Sequence, residues 1–212
     1  MKIILSDVGK RFNRDWIFRH FTYTFEQGRS YAITGPNGSG KSTLLQVLSG
    51  SMHFNEGSLR YESQKSEVGS EKLEIPHEKI YQHVSICAPY LEVVEEMTLK
   101  EFLDFHHGFK PFLPDITTGS IIARLGLEKA ADKQIRYYSS GMKQRVKLAQ
   151  CIFSDTTLVL LDEPCTNLDV AGIELYHQLV SEYCDNRLVV VSSNDKVEYS
   201  FCKDVISISD YK

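Results

Sequence analysis

Two short stretches of this sequence carry the residue types that handle phosphate esters. Gly35-Pro36-Asn37-Gly38-Ser39-Gly40-Lys41-Ser42 fits the pattern G-x-x-x-x-G-K-[ST]. Its glycines let the backbone curl until several N–H groups converge on phosphate oxygens. The helix that must follow adds the partial positive charge of its N-terminus. In that arrangement Lys41 reaches the β- and γ-phosphates, the Ser42 hydroxyl ligates Mg²⁺ and Thr43 touches the α-phosphate. The second stretch, Leu158-Val159-Leu160-Leu161-Asp162-Glu163, is an apolar run ending in two carboxylates. A buried strand of this kind delivers both acids to its C-terminal edge, where parallel sheets bind their ligands. Asp162 is placed to hold Mg²⁺ through its hydration shell. Glu163 faces the other way and can polarise an attacking water.

The flanking periodicity supplies the elements these residues need. Tyr31-Ala32-Ile33 reads as a short buried strand ahead of the glycine-rich loop, and Lys41–Leu48 as a helix stopped at Gly50. Upstream, Phe21, Tyr23 and Phe25 alternate with His20, Thr22 and Thr24, the period of a half-buried strand closed by a turn at Gln27-Gly28. Residues 56–79 are polar and charged apart from Leu59 and Tyr61, which implies a strand and then a solvated excursion without a site. Across 98–126 the pattern turns helical: Thr98 caps, Glu101 follows three residues on, and Leu99, Phe102, Leu103 and Phe105 supply an apolar face. Buried strands return at 158–161, 188–191 and 205–208. The helix between the first two directs Ile173, Tyr176, Leu179, Val180 and Tyr183 inward. Strand–helix alternation implies parallel pairing.

Composition narrows the function classes. At 212 residues, 42% hydrophobic and 25% charged, the chain supports one substantial domain of ordinary globular type. Lys and Arg number 24 against 28 Asp and Glu, so a net charge of −4 offers no general attraction to nucleic acid. The apolar runs fall far below the ~18 residues of a membrane span, and residues 1–10 lack a signal peptide's apolar segment, so a cytoplasmic location is expected. Cys87, Cys151, Cys165, Cys184 and Cys202 form no C-x-x-C pair and read as reduced, mostly buried thiols. His106-His107 point in different directions on a helix and have no third ligand spaced to join them, so surface histidines rather than a metal site are expected.

A third segment narrows the family. Tyr138-Ser139-Ser140-Gly141-Met142-Lys143-Gln144-Arg145 resembles the signature of ATP-binding cassette (ABC) proteins, usually L-S-G-G-Q before a basic helix. Residues 35–43 have that family's G-P-N-G-x-G-K-S-T form, and Glu163-Pro164 with Thr166-Asn167-Leu168-Asp169 looks like its dimer-contact loop. The order is right along the whole chain, and the likeness is greatest to compact bacterial transporter ATPases, including those of haem-export type. The resemblance implies an α/β fold: a P-loop NTPase core with a mainly parallel sheet, an N-terminal antiparallel β subdomain and a small helical subdomain. The core would occupy about 1–88 and 139–212, and the helices about 89–138. It also implies ATP and Mg²⁺ as cofactors and two cassettes, identical or paralogous, packed head to tail. Ser139 with the amides of Ser140 and Gly141 then grips the γ-phosphate held by the other chain's Lys41. Each cassette would work on the inner face of the cell membrane, driving a separate membrane subunit that docks near Tyr90 and residues 102–112. A soluble assembly ATPase of the iron–sulfur type is the alternative. The adenine would stack on Phe12, with Trp16 as a rival.

Three positions depart from the family pattern. Tyr90 stands where a glutamine normally senses Mg²⁺; a phenol donates a hydrogen bond but ligates a metal poorly, and Glu92 is a candidate substitute. Asn194 stands at the switch histidine, where it can donate to a γ-phosphate but cannot carry an added proton, so it would position water that Glu163 activates. Ser140 replaces a signature glycine.

Overall fold

The computed structural model describes residues 1–63 and 73–212, so the expected solvated excursion lies partly outside the described residues. Antiparallel strands β1 (Lys2–Phe12) and β2 (Asp15–Glu26) open the chain, with Ile3 opposite Phe25 and Leu5 opposite Tyr23. The chain then leaves this ribbon through β3 (Ser30–Thr34) and helix α1 (Lys41–Leu48). It returns as β4 (Glu56–Ser63) on the free side of β1, followed by β5 (Leu73–Ile75), giving the order β2-β1-β4-β5.

The second sheet is parallel. β6 (Val84–Cys87), β7 (Leu158–Asp162), β8 (Leu188–Ser192) and β9 (Asp204–Ser207) join β3 in the order β6-β7-β8-β3-β9. The unbroken apolar runs of β7 and β8 are explained by burial on both faces. Leu158, Leu160, Leu188 and Val190 face α1 and the antiparallel sheet, where Ile3, Phe21, Phe25, Leu44 and Leu45 complete one core. The alternate residues Val159, Leu161, Val189 and Val191 enter a second core on the opposite face. Each such fully buried side chain contributes about 1.5–3 kcal/mol.

That second core is shared with the helices α2 (Leu99–Phe109), α3 (Thr118–Leu125), α4 (Ser140–Ile152) and α5 (Val170–Tyr183). Thr98 and Glu101 form the expected capping box of α2, and Pro111 and Pro114 separate α2 from α3. Leu99, Phe102 and Leu103 are buried, but Phe105 is 47% exposed and meets Phe109 edge to face at 4.9 Å. The expected inward position of Phe105 is therefore corrected: it lies with the residue one turn later on the outer face. On α5, Tyr176, Leu179 and Val180 are buried, while Ile173 and Tyr183 are only partly covered. Cys87, Cys151 and Cys184 are buried, Cys165 and Cys202 partly so, and all five are free thiols.

Candidate functional site

The glycine-rich loop leaves the C-terminal end of β3 and enters α1 with Gly35 at φ 146° and Gly40 at φ 106°. Both positions exclude a side chain for a second reason. A Cβ at Gly40 would lie 2.4 Å from Ile17 Cγ2, and one at Gly35 would lie 2.7 Å from Ile208 Cγ2. Gly40 is also the N-cap of α1, with no side-chain cap and no acid in the first turn, so the helix turns its N–H groups to whatever occupies the loop. Lys41 is 5% exposed; its Nζ donates to the carbonyls of Gly35 (2.7 Å) and Pro36 (3.2 Å), folded back over the loop. Ile17, Asn37, Gly38, Lys41, Ser42, Thr43 and Glu163 surround a cleft of about 200 Å³. The loop and the acidic strand end, far apart in sequence, thus meet as the motifs require.

Asp162 pairs in register with Ser192 at the carboxyl edge of the sheet. It is 2% exposed, and its Oδ1 has no hydrogen-bond partner among the described residues; the same holds for Ser192 Oγ and for Ser39 Oγ in the loop. Buried polar atoms are nearly always satisfied, so three orphaned oxygens at one sheet edge fit a site for a cation or a polar ligand. Ser42 and Asp162 together offer the hard oxygen donors that suit Mg²⁺. Glu163 takes φ 43°, the left-handed region, which costs a non-glycine residue about 1–3 kcal/mol. Its N–H donates to Ser192 O (2.9 Å), and its carbonyl accepts from Thr166 N (3.2 Å) and Thr166 Oγ1 (2.9 Å).

Tyr90, Asn194 and Phe12 each take a defined place. Tyr90 lines one groove with Gln46 of α1, and the charge of Asp162 reaches it. Burial first, then that charge, raise its pKa and keep the phenol neutral. Asn194 grips the loop itself: its Oδ1 accepts from Gly35 N and its Nδ2 donates to Asn37 Oδ1, both at 3.1 Å. Phe12 is 46% exposed at the hairpin end, with Lys10 Nζ 4.9 Å from its ring centroid. Trp16 instead sits between the guanidinium groups of Arg11 (5.5 Å) and Arg19 (4.5 Å), which leaves Phe12 the more accessible ring.

The signature segment forms a separate site. Ser139 caps α4 by accepting from Met142 N at 3.2 Å, and Ser139 and Ser140 are exposed. A groove of about 170 Å³ beside them is lined in part by Glu92, Ser140, Gln144 and Asn167. Glu92, the candidate substitute for the missing glutamine, therefore belongs to this groove and not to the cleft around Ser42. At Gly141 an added Cβ would lie 3.0 Å from Asn167 O, so a small residue is needed there. Lys143 pairs with Glu95 (2.6 Å) and Arg145 with Asp169 (3.1 Å), fixing the helix to the loops on either side. His106 is not the surface residue expected. It is half-buried with Nε2 2.8 Å from Ser154 Oγ, whereas His107 is exposed and its Nδ1 accepts from Phe112 N at 3.1 Å. Among the described residues no cluster of His, Cys, Asp and Glu suits a metal ion by itself. Sequence reasoning gave no role to Gln144, although it lies inside the quoted signature, nor to Glu198, which no motif marks.

Comparison with known proteins agrees with this geometry. The family model described as "ABC transporter" matches residues 18–166. The chain is similar to the uncharacterised ABC transporter ATP-binding protein YybJ of Bacillus subtilis, 29% identical across 98% of this chain and 89% of that protein. It is also similar to the cytochrome c biogenesis ATP-binding export protein CcmA 2 of Cupriavidus metallidurans, 30% identical across 90% of this chain and 88% of that one. Among solved structures, the dimeric bacterial ABC transporter cassette MJ0796 superposes with a TM-score of 0.77 at 21% identity, over 97% of this chain and 93% of that one. The same cassette in a dimeric post-hydrolysis state bound to ADP and Pi gives 0.78 at 20% identity, over the same shares of the two chains. No helix among the described residues is long and apolar enough to cross a membrane.

Proposed function

The chain belongs to the ABC transporter family as an ATP-binding subunit, and from that premise we propose that it hydrolyses ATP with Mg²⁺ in a site completed by a second cassette. The observation that carries this reading is the convergence of Lys41, Ser42 and Glu163 on one cleft, with the unpartnered Oδ1 of Asp162 at the same sheet edge. Lys41 exchanges its carbonyl partners for the β- and γ-phosphate oxygens, and residues 35–43 hold the phosphates through main-chain N–H groups. Ser42 and Asp162 would hold Mg²⁺, which when bound neutralises charge on the terminal phosphates. The neutral Tyr90 serves as a hydrogen-bond donor at its margin rather than as a ligand.

Glu163 orients and deprotonates the attacking water, while Asn194 swings its amide from the loop to the γ-phosphate. Phe12 covers the adenine ring. The exposed Ser139 and Ser140, with the partly covered Gly141, close over the nucleotide of the second chain; the dimeric state of the MJ0796 cassette supports that arrangement. The membrane subunit docks on a surface that includes Tyr90, which lines a groove of about 680 Å³ between α1 and α2, and the exposed Phe105 and Phe109 of α2.

Two substitutions test the chemistry. Lys41→Ala abolishes ATP binding at millimolar concentration. Glu163→Gln retains binding but lowers turnover by about 100-fold or more, measured as phosphate release. Undiminished binding in the first, or undiminished turnover in the second, overturns the reading.

A further inference from the structure

The turn that presents Glu163 is held from two sides by side chains outside both the phosphate loop and the acidic strand. We propose that Gln144 and Glu198 are positioning residues for Glu163, acting through the main chain of Pro164 and Cys165. The inference rests on the reading of Glu163 as the group that activates water.

A non-glycine residue at φ 43° persists only where its surroundings over-determine it. Local closure comes from Ser192 and Thr166, which satisfy the N–H and carbonyl of Glu163 itself. The next polar groups of the chain are answered from a distance. Pro164 has no N–H to offer, and its carbonyl accepts from Gln144 Nε2 at 2.7 Å. The N–H of Cys165 donates to Glu198 Oε1, also at 2.7 Å.

Both anchors are themselves immobilised. Gln144 is 4% exposed on α4 and Glu198 5% exposed. The N–H of Glu198 donates to Asp195 O (3.0 Å), and its carbonyl accepts from Tyr176 Oη (2.7 Å). No cation pairs with this buried carboxylate among the described residues, so for the fold alone it is a costly choice. What it supplies is an acceptor for the Cys165 N–H, which an apolar residue could not replace. Each anchor also belongs to a segment that faces phosphate in the proposed mechanism: Gln144 follows Gly141 on one helix, and Glu198 follows Asn194 in one loop. Movement of either segment is therefore transmitted to the turn that carries Glu163.

The test compares Glu198→Ala, Glu198→Gln, Gln144→Ala and the double alanine variant in the full chain. The readouts are steady-state ATP hydrolysis with Mg²⁺, equilibrium ATP binding and a melting curve. Glu198→Ala lowers kcat about tenfold or more and leaves KM and ATP binding within about twofold. Glu198→Gln restores most of the lost rate, because its amide oxygen still accepts from Cys165 N–H. Gln144→Ala lowers kcat similarly, and the double variant is less impaired than the product of the two single effects, since both act on one turn. Native kcat in both alanine variants, a Glu198→Gln as slow as Glu198→Ala, or a loss confined to KM overturns the proposal. Should Glu198→Ala not fold, kcat of Gln144→Ala decides alone. Failure here is separable from failure of the underlying reading: a fully active Glu163→Gln removes the catalytic role of Glu163, whereas an inactive Glu163→Gln beside fully active anchor variants removes only the positioning role.

Discussion

Strand β8 is finished in opposite ways at its two ends. At the amino end, Arg187 is 6% exposed and donates to the carbonyls of Ile152, Ser154 and Thr156 and to the hydroxyls of Thr156 and Ser85. Among the described residues no carboxylate pairs with it. At the carboxyl end, Ser192 Oγ and the neighbouring Asp162 Oδ1 have no hydrogen-bond partner among the described residues. A buried cation without an anion is tolerable only when its N–H groups are answered, and the amino end answers them with oxygens from α4, the loop after it and β6. A ligand-binding edge requires the reverse, oxygens that the protein itself does not satisfy. The two conditions lie one short strand apart, so it is side-chain supply and not backbone architecture that separates the end serving the fold from the end serving the ligand.

The largest effect that sharpens this contrast is expected at the amino end. Arg187→Ala withdraws a donor from three backbone carbonyls at once, on α4 and the loop after it, and lowers the unfolding free energy by about 3–5 kcal/mol, measured by urea denaturation. Arg187→Lys recovers only part of the loss, because one ammonium cannot reproduce the planar fork that reaches Ile152, Ser154 and Thr156 together. A native denaturation midpoint in Arg187→Ala would break the comparison, since the amino end would then be no better supported than the other.

A second effect tests how far the saturated network extends. Ser154, whose carbonyl accepts from Arg187, presents its hydroxyl to His106. Burial first, then the charges of Lys110 and His107, lower the His106 pKa from 6.5 to about 4. The unfolded chain therefore takes up a proton near pH 6.5 that the folded chain refuses until about pH 4. The stability associated with neutral His106 is present above pH 6.5 and is lost as pH falls through that window, on the order of 2 kcal/mol by pH 4 after allowance for partial exposure. Urea unfolding of the native chain and of His106→Gln, each at pH 7 and pH 4.5, isolates the contribution. The variant should lose less stability on acidification, and equal losses would place His106 outside the network.

These two ends were unequally legible in the sequence. The carboxyl edge could be read because its chemistry constrains residue type at fixed spacing: glycine where φ is positive at Gly35 and Gly40, lysine and serine at the helix start, and acids where a buried apolar run stops. The parallel sheet followed from the same runs. Arg187 and Glu198 carry no such mark, because the oxygens that answer the Arg187 guanidinium lie 31 to 102 residues away and the N–H that donates to Glu198 Oε1 lies 33 away, in segments of ordinary composition. His106 was misjudged for the same reason, its burial being set by Ser154 and not by its own helix. Phe105 was misjudged because periodicity locates an apolar stripe but not its edge, and one turn of α2 decides whether a ring at that edge faces the core or water.

The smallest effect is the most discriminating, because its sign rather than its size carries the information. If the carboxyl edge is unsatisfied by the protein, Ser192→Ala removes a fully buried hydroxyl whose oxygen has no partner among the described residues, and loses no hydrogen bond to them in exchange. The nucleotide-free chain should then be as stable as the native one, or more stable by up to about 1 kcal/mol. The matching substitution at the other end, Thr156→Ala, withdraws a hydroxyl that accepts from Arg187 and bonds with Ser85, and should cost stability by a similar amount. A loss of stability in Thr156→Ala with no loss in Ser192→Ala is what the contrast requires. A loss of stability in Ser192→Ala equal to that in Thr156→Ala would mean that both ends are saturated, and the edge that holds Asp162 would lose its claim to be open for a ligand.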